Sequence, residues 1–499
     1  MVASRSTLSR DEIAATVAAL IGADRVDTNP QRLREASVDR FRKYPAVHGI
    51  FDGPFPAAIA YPASTEQVAV LLDFAERERV AVVPRTGGTG TEGGLETIVA
   101  DTLVIDGSRM DRIMHIDAED MMVTVQCGVP LQLLEDTLRT RGLTTGHSPQ
   151  SKPIAQMGGL VATRSIGQFS TLYGGIEDMV VGLEAVFPGG HVARIKNVPR
   201  RAAGPDIRHV VIGNEGALAF ITEVTVKLFP WAPGNQRYFG FHVPEFGLGI
   251  DLLRAVVTAG YRPSVARVYS PEDARQHFPE HPMDQHLVVL VAEGPEPLVE
   301  ATSAGIEEFA AAVPHVRLPE ASIRSWFEAL NWGPDKIEAE KVQMRETRHL
   351  GYTTEVSCDW SRTAELYDAV MSRVRTEFPL AEDLTMLGAH SSHSYQTGTN
   401  LYFVYDYRIR CEPRDELETY HVPLNAMIVE EALRVGGSMV HHHGVGKYRT
   451  AWVQQEHGSA YALLLGLKRA FDPHNIMNPG TIFPLGEDGL PLGMASALP

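Results

Sequence analysis

Residues 84–94 read PRTGGTGTEGG and follow directly on the apolar run Ala81, Val82, Val83. Five glycines in eleven residues let the backbone take positive φ and bring its N–H groups close to a ligand. Successive N–H groups facing one concavity make an anion nest, which suits a pyrophosphate. The GK[ST] ending of a Walker loop is absent, and Gly93-Gly94 prevents the helix that a GxGxxG turn opens. A ligand-free surface loop is the competing reading, so the stretch has to be weighed with the rest of the chain.

A second stretch, residues 144–182, is long and rich in Gly, Ser and Thr. Long loops of this kind are functional or disordered. Ile154, Met157, Leu160, Val161, Phe169, Leu172 and Tyr173 are interleaved through it, which argues for a folded loop wrapping a large cofactor. A third stretch, VIGNEGALAFITEVTVKL at 211–228, is a tight glycine turn leading into apolar structure.

The 499 residues exceed one ordinary core and predict two or three domains. Residues 1–55 read as a helical lead-in, with Ser9 and Glu12 as a capping box. Strands and helices alternate from Ala58, and Ser64 or Thr65 caps a helix that buries Val68, Leu71, Leu72 and Ala75. The texture changes after Trp231, where strands alternate with long helices, as in an antiparallel sheet with helices on one face. The expected divisions are 1–55, 56–232, 233–450 and 451–499, in an α+β chain.

A net charge of −17 with no basic block argues against nucleic-acid binding. Three scattered cysteines make no disulfide framework or zinc site. No run reaches the length of a membrane span, and the closing Ala-Leu-Pro reads as no targeting signal. The expectation is a soluble cytoplasmic protein.

Residues 440–450, VHHHGVGKYRT, carry three successive histidines. On a strand, His441 and His443 share one face and His442 takes the other. A metal site, a solvated tract and a proton-handling site are all open. No HExxH motif or nearby carboxylate pair completes a ligand set, so no metal is expected.

Together, the three glycine-rich segments resemble the FAD-binding domain of the vanillyl-alcohol-oxidase (PCMH-type) flavoprotein family. FDPHNIMNPG, at 471–480, is similar to that family's C-terminal signature. The resemblance implies a two-subdomain FAD-binding domain plus a cap domain, an antiparallel sheet covered by helices. It places Pro84, Arg85, Thr86, Gly87, Gly88, Thr89 and Gly90 on the pyrophosphate. Gln150, Ser151, Gln156, Gly159, Thr163, Ser165, Glu215, Ile221 and Asn478 would line the rest of the cofactor. Some members bond flavin to a histidine in the first loop or a cysteine in the second segment. Neither is present here, so noncovalent FAD is expected.

Within that family, HHHGVGK, SHSYQTGTNLYFVYDYR, MRETRHLGYTTEVSCDW and PSVARVYS most resemble the alkyldihydroxyacetonephosphate (alkylglycerone-phosphate) synthases. The resemblance makes Tyr402, His441, His442 and His443 catalytic, and Arg267, Arg345 and His147 substrate-binding. Asn400 departs from the pattern, which has cysteine there. Two activities follow. One is a redox-neutral exchange of an acyl for an alkyl group through a flavin N5 adduct. The other is oxidation of an alcohol or 2-hydroxy acid by hydride transfer to N5. Either way the partners implied are a small anionic substrate and a second copy in a homodimer. Tyr402 sits in the alternating LYFVYDY run, where a core aromatic is the competing reading.

Overall fold

In the computed structural model, which describes residues 6–330 and 333–494, three sheets carry the architecture. The closing Ala497 to Pro499 lies outside the described residues. The first sheet pairs Ala58–Ala60, Leu103–Asp106 and Val82–Arg85 in parallel, with Val26–Asp27 antiparallel at its edge. Its strands are short and apolar, as strands covered on both faces are. The second sheet is five-stranded and antiparallel, built from Ile113–Asp117, Met122–Gln126, Phe220–Lys227, Val180–Phe187 and His191–Ile195. These two sheets are the two subdomains of the cofactor-binding half.

The third sheet has seven strands, all antiparallel, and includes Val265–Tyr269, His349–Asp359, Leu384–Ser391 and Gly398–Arg408. Side chains alternate across a strand, and this alternation creates the site. Leu401, Phe403, Tyr405 and Tyr407 are fully buried in one core with Ala266, Val268 and Ala389. The helices Phe246–Thr258, Glu296–Ala310, Trp360–Glu377 and Val422–Arg434 cover that face. Arg267, His390, Tyr402, Val404 and Asp406 come from the other face and line a cavity. Tyr402 is therefore not one of the core aromatics of its strand.

Local signals in the sequence have physical counterparts. Ser9 and Glu12 form both bonds of a capping box on the Arg10–Ile21 helix. Ser64 caps the Thr65–Glu78 helix, which buries Val68, Leu71, Leu72 and Ala75. The lead-in is more than an appendage, because Arg40 and Lys43 reach the cavity. Among the described residues no helix is long and apolar enough to cross a membrane.

Candidate active site

A cavity of about 500 Å³ lies between the glycine-rich segments and the open face of the seven-stranded sheet. Pro84, Arg85, Thr86, Thr89, Gly90, Gln150, Ser151, Gly159, Thr163, Ser165, Glu215 and Ile221 line it. The N–H groups of Thr89, Gly90 and Thr91 meet no acceptor among the described residues, as expected for an anion nest. Gly159 packs so tightly that a Cβ would stand 2.7 Å from the Thr86 carbonyl oxygen. Gln168, which the sequence reading missed, is buried on the cavity wall with neither amide atom partnered. Buried polar atoms are rarely left unpaired, so these unmet donors and acceptors fit a large polar cofactor.

Four of the expected cofactor residues stand behind the wall. Gln156 Oε1 accepts the Gly87 N–H at 2.8 Å, and Gly88 packs on the Arg85 side chain. Asn478 Nδ2 donates to the carbonyls of Gly94 and Glu215 at 2.9 and 2.8 Å. They hold the loops in place and do not line the cavity.

The histidine triplet is not a strand. Its backbone bends around the fully buried Glu355, whose carboxylate accepts the N–H groups of His441, His442 and His443 at 2.5, 3.2 and 2.8 Å. Glu215 accepts the next pair, Val445 and Gly446, at 2.7 and 2.8 Å. The bend changes which rings face inward. His442 and His443 line the cavity, while His441 turns away to Tyr395, at 2.7 Å, and stacks on His393. The expected pairing of His441 with His443 is thus replaced by His442 with His443. Glu355, His441 and His442 offer three ligand atoms within 4.8 Å of one another. Both Glu355 oxygens already accept N–H bonds, which leaves little for a cation.

Tyr402 Oη lies 3.0 Å from His443 Nε2 and accepts a bond from Thr353 Oγ1 at 3.1 Å. The other face of His443 meets two acids, with Nδ1 3.4 Å from Glu92 and 3.5 Å from Glu355. Arg449, fully buried, binds both Glu92 oxygens at 2.8 and 3.1 Å and lies 3.6 Å from Glu355. On its other side Tyr402 stacks on His390 at 4.8 Å and 13°. His390 Nδ1 is fixed 2.6 Å from the buried Asp273. Burial raises the Tyr402 pKa, so no standing phenolate forms there.

Arg267 is buried on the cavity wall and gives one bond, from Nη1 to Tyr269 Oη at 2.8 Å. Its Nε has no partner, and among the described residues no carboxylate pairs with it. The other two expected substrate residues are placed elsewhere. Arg345 is exposed on the Pro334–Thr347 helix and bonds the Val47 carbonyl at 3.1 Å, away from the cavity. His147 is buried behind the wall, 3.3 Å from Ser165 Oγ. Asn400 accepts the Ser392 and His393 N–H groups at 2.8 and 2.9 Å. It shapes the turn that presents His393.

Burial keeps many of these histidines neutral. The pKa falls from 6.5 to about 3 at His147 and to about 4 at His277, His286 and His441. His393, His421 and His442 are likewise held well below their ordinary value, again chiefly by burial. A depressed histidine stabilises the fold above its unfolded value of 6.5, and that stability is lost as pH falls toward 4. Glu215 and Glu416, raised by burial from 4.5 to about 7, work in the opposite sense and gain on acidification. The histidines outnumber them, so the melting temperature should fall between pH 7 and pH 5. A constant or rising value over that range would contradict their burial in neutral form.

Residues 56–196 match the FAD binding domain family, and residues 232–482 match the C-terminal domain of FAD linked oxidases. An uncharacterized FAD-linked oxidoreductase, YgcU of Escherichia coli O157:H7, is 56% identical over 96% of this chain and 99% of its own length. The D-2-hydroxyglutarate dehydrogenase of Xanthomonas citri pv. viticola is 25% identical over 93% of this chain and 95% of its own. Among solved structures, an alkyldihydroxyacetonephosphate synthase superposes with a TM-score of 0.76 at 22% identity, covering 95% of this chain and 85% of the other.

Proposed function

Because the chain belongs to the FAD linked oxidases, and is an FAD-dependent enzyme, we propose that it oxidises the hydroxyl group of a small anionic alcohol, a 2-hydroxy acid by class. The observation that carries this reading is Arg267, a buried guanidinium on the cavity wall with no acid paired to it among the described residues. Tyr269 and Trp326 place their rings 5.8 and 5.5 Å from the guanidinium and Tyr269 takes one of its bonds, but neither brings a negative charge. A buried cation without a counter-charge is costly unless a ligand supplies the anion, and guanidinium binds carboxylate in bidentate fashion.

FAD, when bound, supplies the hydride acceptor. Arg267 holds the substrate carboxylate beside Tyr402. The substrate hydroxyl proton passes to Tyr402 Oη as the phenol's own proton moves to His443 Nε2, 3.0 Å away. Tyr402 stays neutral throughout, which its raised pKa requires. Glu92 and Glu355 balance the imidazolium charge that His443 gains. The alcohol carbon loses a hydride and its oxygen a proton, leaving a carbonyl. No histidine lies in residues 84–94 and no cysteine in 144–182, which supports a noncovalent cofactor that acid releases intact.

The redox-neutral acyl-for-alkyl exchange has less support. It needs an apolar channel for two long chains, yet Arg40, Lys43, Gln276, Glu340 and Asp406 line the cap end of this cavity. Arg267→Met should lower kcat/KM for a 2-hydroxy acid by about 30- to 1,000-fold, the cost of unpairing a buried charge. The loss should fall chiefly on KM. An equal loss with a neutral alcohol of the same size would contradict the assigned role.

A further inference from the structure

The cavity runs past the Tyr402 region along the same face of its strand, through Val404 to Asp406. At about 3.3 Å per residue, Asp406 stands roughly 13 Å from Tyr402. A two- or three-carbon hydroxy acid held by Arg267 would leave this outer end unused.

The outer end is built from polar groups. Lys43 Nζ bonds Glu340 at 2.7 Å and the Gly351 carbonyl at 2.9 Å, and sits over the Tyr352 ring at 4.9 Å. Arg40 shares the same Glu340 at 3.1 Å. Gly351 lies opposite Asp406 in the sheet, and a Cβ on it would come 2.3 Å from Asp406 Oδ1. Asp406 is half-buried, and among the described residues its carboxylate takes one hydrogen bond, a long one from Gln276 Nε2 at 3.4 Å. Burial raises its pKa to about 6, so it still accepts hydrogen bonds as a carboxylate at neutral pH.

Two cations and two carboxylates balance here, so this end does not select a second anion. Lys43 and Arg40 bring donors and Glu340 and Asp406 acceptors to the same stretch of cavity wall, which matches the O–H donor and lone-pair acceptor of adjacent hydroxyls. We propose that Lys43, Glu340 and Asp406 form a subsite for vicinal hydroxyl groups, and that the substrate is a polyhydroxylated carboxylate. A chain of about five or six carbons, with a hydrogen bond at each end, spans the distance from the Tyr402 region to Asp406. The inference rests on the oxidation reading for the other end of the same molecule. Short hydroxy acids are then poor substrates, held at one end only.

The test uses FAD-loaded enzyme under anaerobic conditions, with a panel of six-carbon aldonates and with lactate. Binding is read by calorimetry and oxidation by loss of flavin absorbance. At least one aldonate should bind 10-fold or more tightly than lactate, and Asp406→Asn and Lys43→Met should each bring that ratio close to one. Equal affinity for aldonates and lactate, or a ratio unmoved by both variants, would overturn the subsite. Flavin reduction by both chain lengths with such a ratio would leave the oxidation reading standing alone. Tight, Asp406-dependent aldonate binding without flavin reduction would do the reverse, removing the oxidation reading and keeping the subsite.

Discussion

Tyr402→Phe should lower kcat by about 10²- to 10⁴-fold, the usual worth of a placed proton-transfer group, while leaving FAD bound and the fold intact. The ring keeps its stacking on His390, and the residues that line the cofactor region come from other segments. What disappears is the oxygen between the substrate hydroxyl and His443 Nε2. Substrate affinity should change little, since Arg267 carries the anion. A Phe variant with full turnover would remove Tyr402 from the proton path.

Arg449→Met should destabilise the protein by about 3–5 kcal/mol, the cost of breaking a buried ion pair from one side. The methionine fills the stem's space but leaves Glu92 and Glu355 buried without their cation. Those acids belong to different halves of the chain, the glycine-rich loop and the seven-stranded sheet, so the loss should also loosen the closure over the cavity. Adding Glu92→Gln should recover part of the stability, because one stranded charge goes with it. Denaturant unfolding of both variants reads this directly; a single variant within 1 kcal/mol of the parent would contradict the role of Arg449.

The cofactor half was the most readable part of the chain. Glycine spacing and apolar strands are local signals, and the loop at 84–94 lines the cavity as its backbone chemistry demanded. The alternation in LYFVYDY was equally plain, but it could not say which face met helices and which met ligand. That depends on helices distant in sequence. The histidine triplet was read as a strand because local pattern could not reveal Glu355, 86 residues away, drawing its N–H groups into a bend. Glu92 carries no local signal of its role inside the glycine-rich loop, because its partner Arg449 is 357 positions further on. Arg267 and Arg345 both rested on resemblance; the fold puts Arg267 on the cavity face of the strand Val265–Tyr269 and leaves Arg345 exposed on the Pro334–Thr347 helix.

The central claim is that this enzyme takes two electrons from an anionic hydroxyl compound. The direct measurement mixes the FAD-loaded protein with hydroxy acids in the absence of oxygen and follows absorbance at the flavin maximum. Bleaching by a hydroxy acid, lost in Arg267→Met and Tyr402→Phe, is the predicted result. A flavin that stays oxidised with every hydroxy acid and alcohol, while the protein exchanges a fatty alcohol into acyl-dihydroxyacetone phosphate, would contradict it.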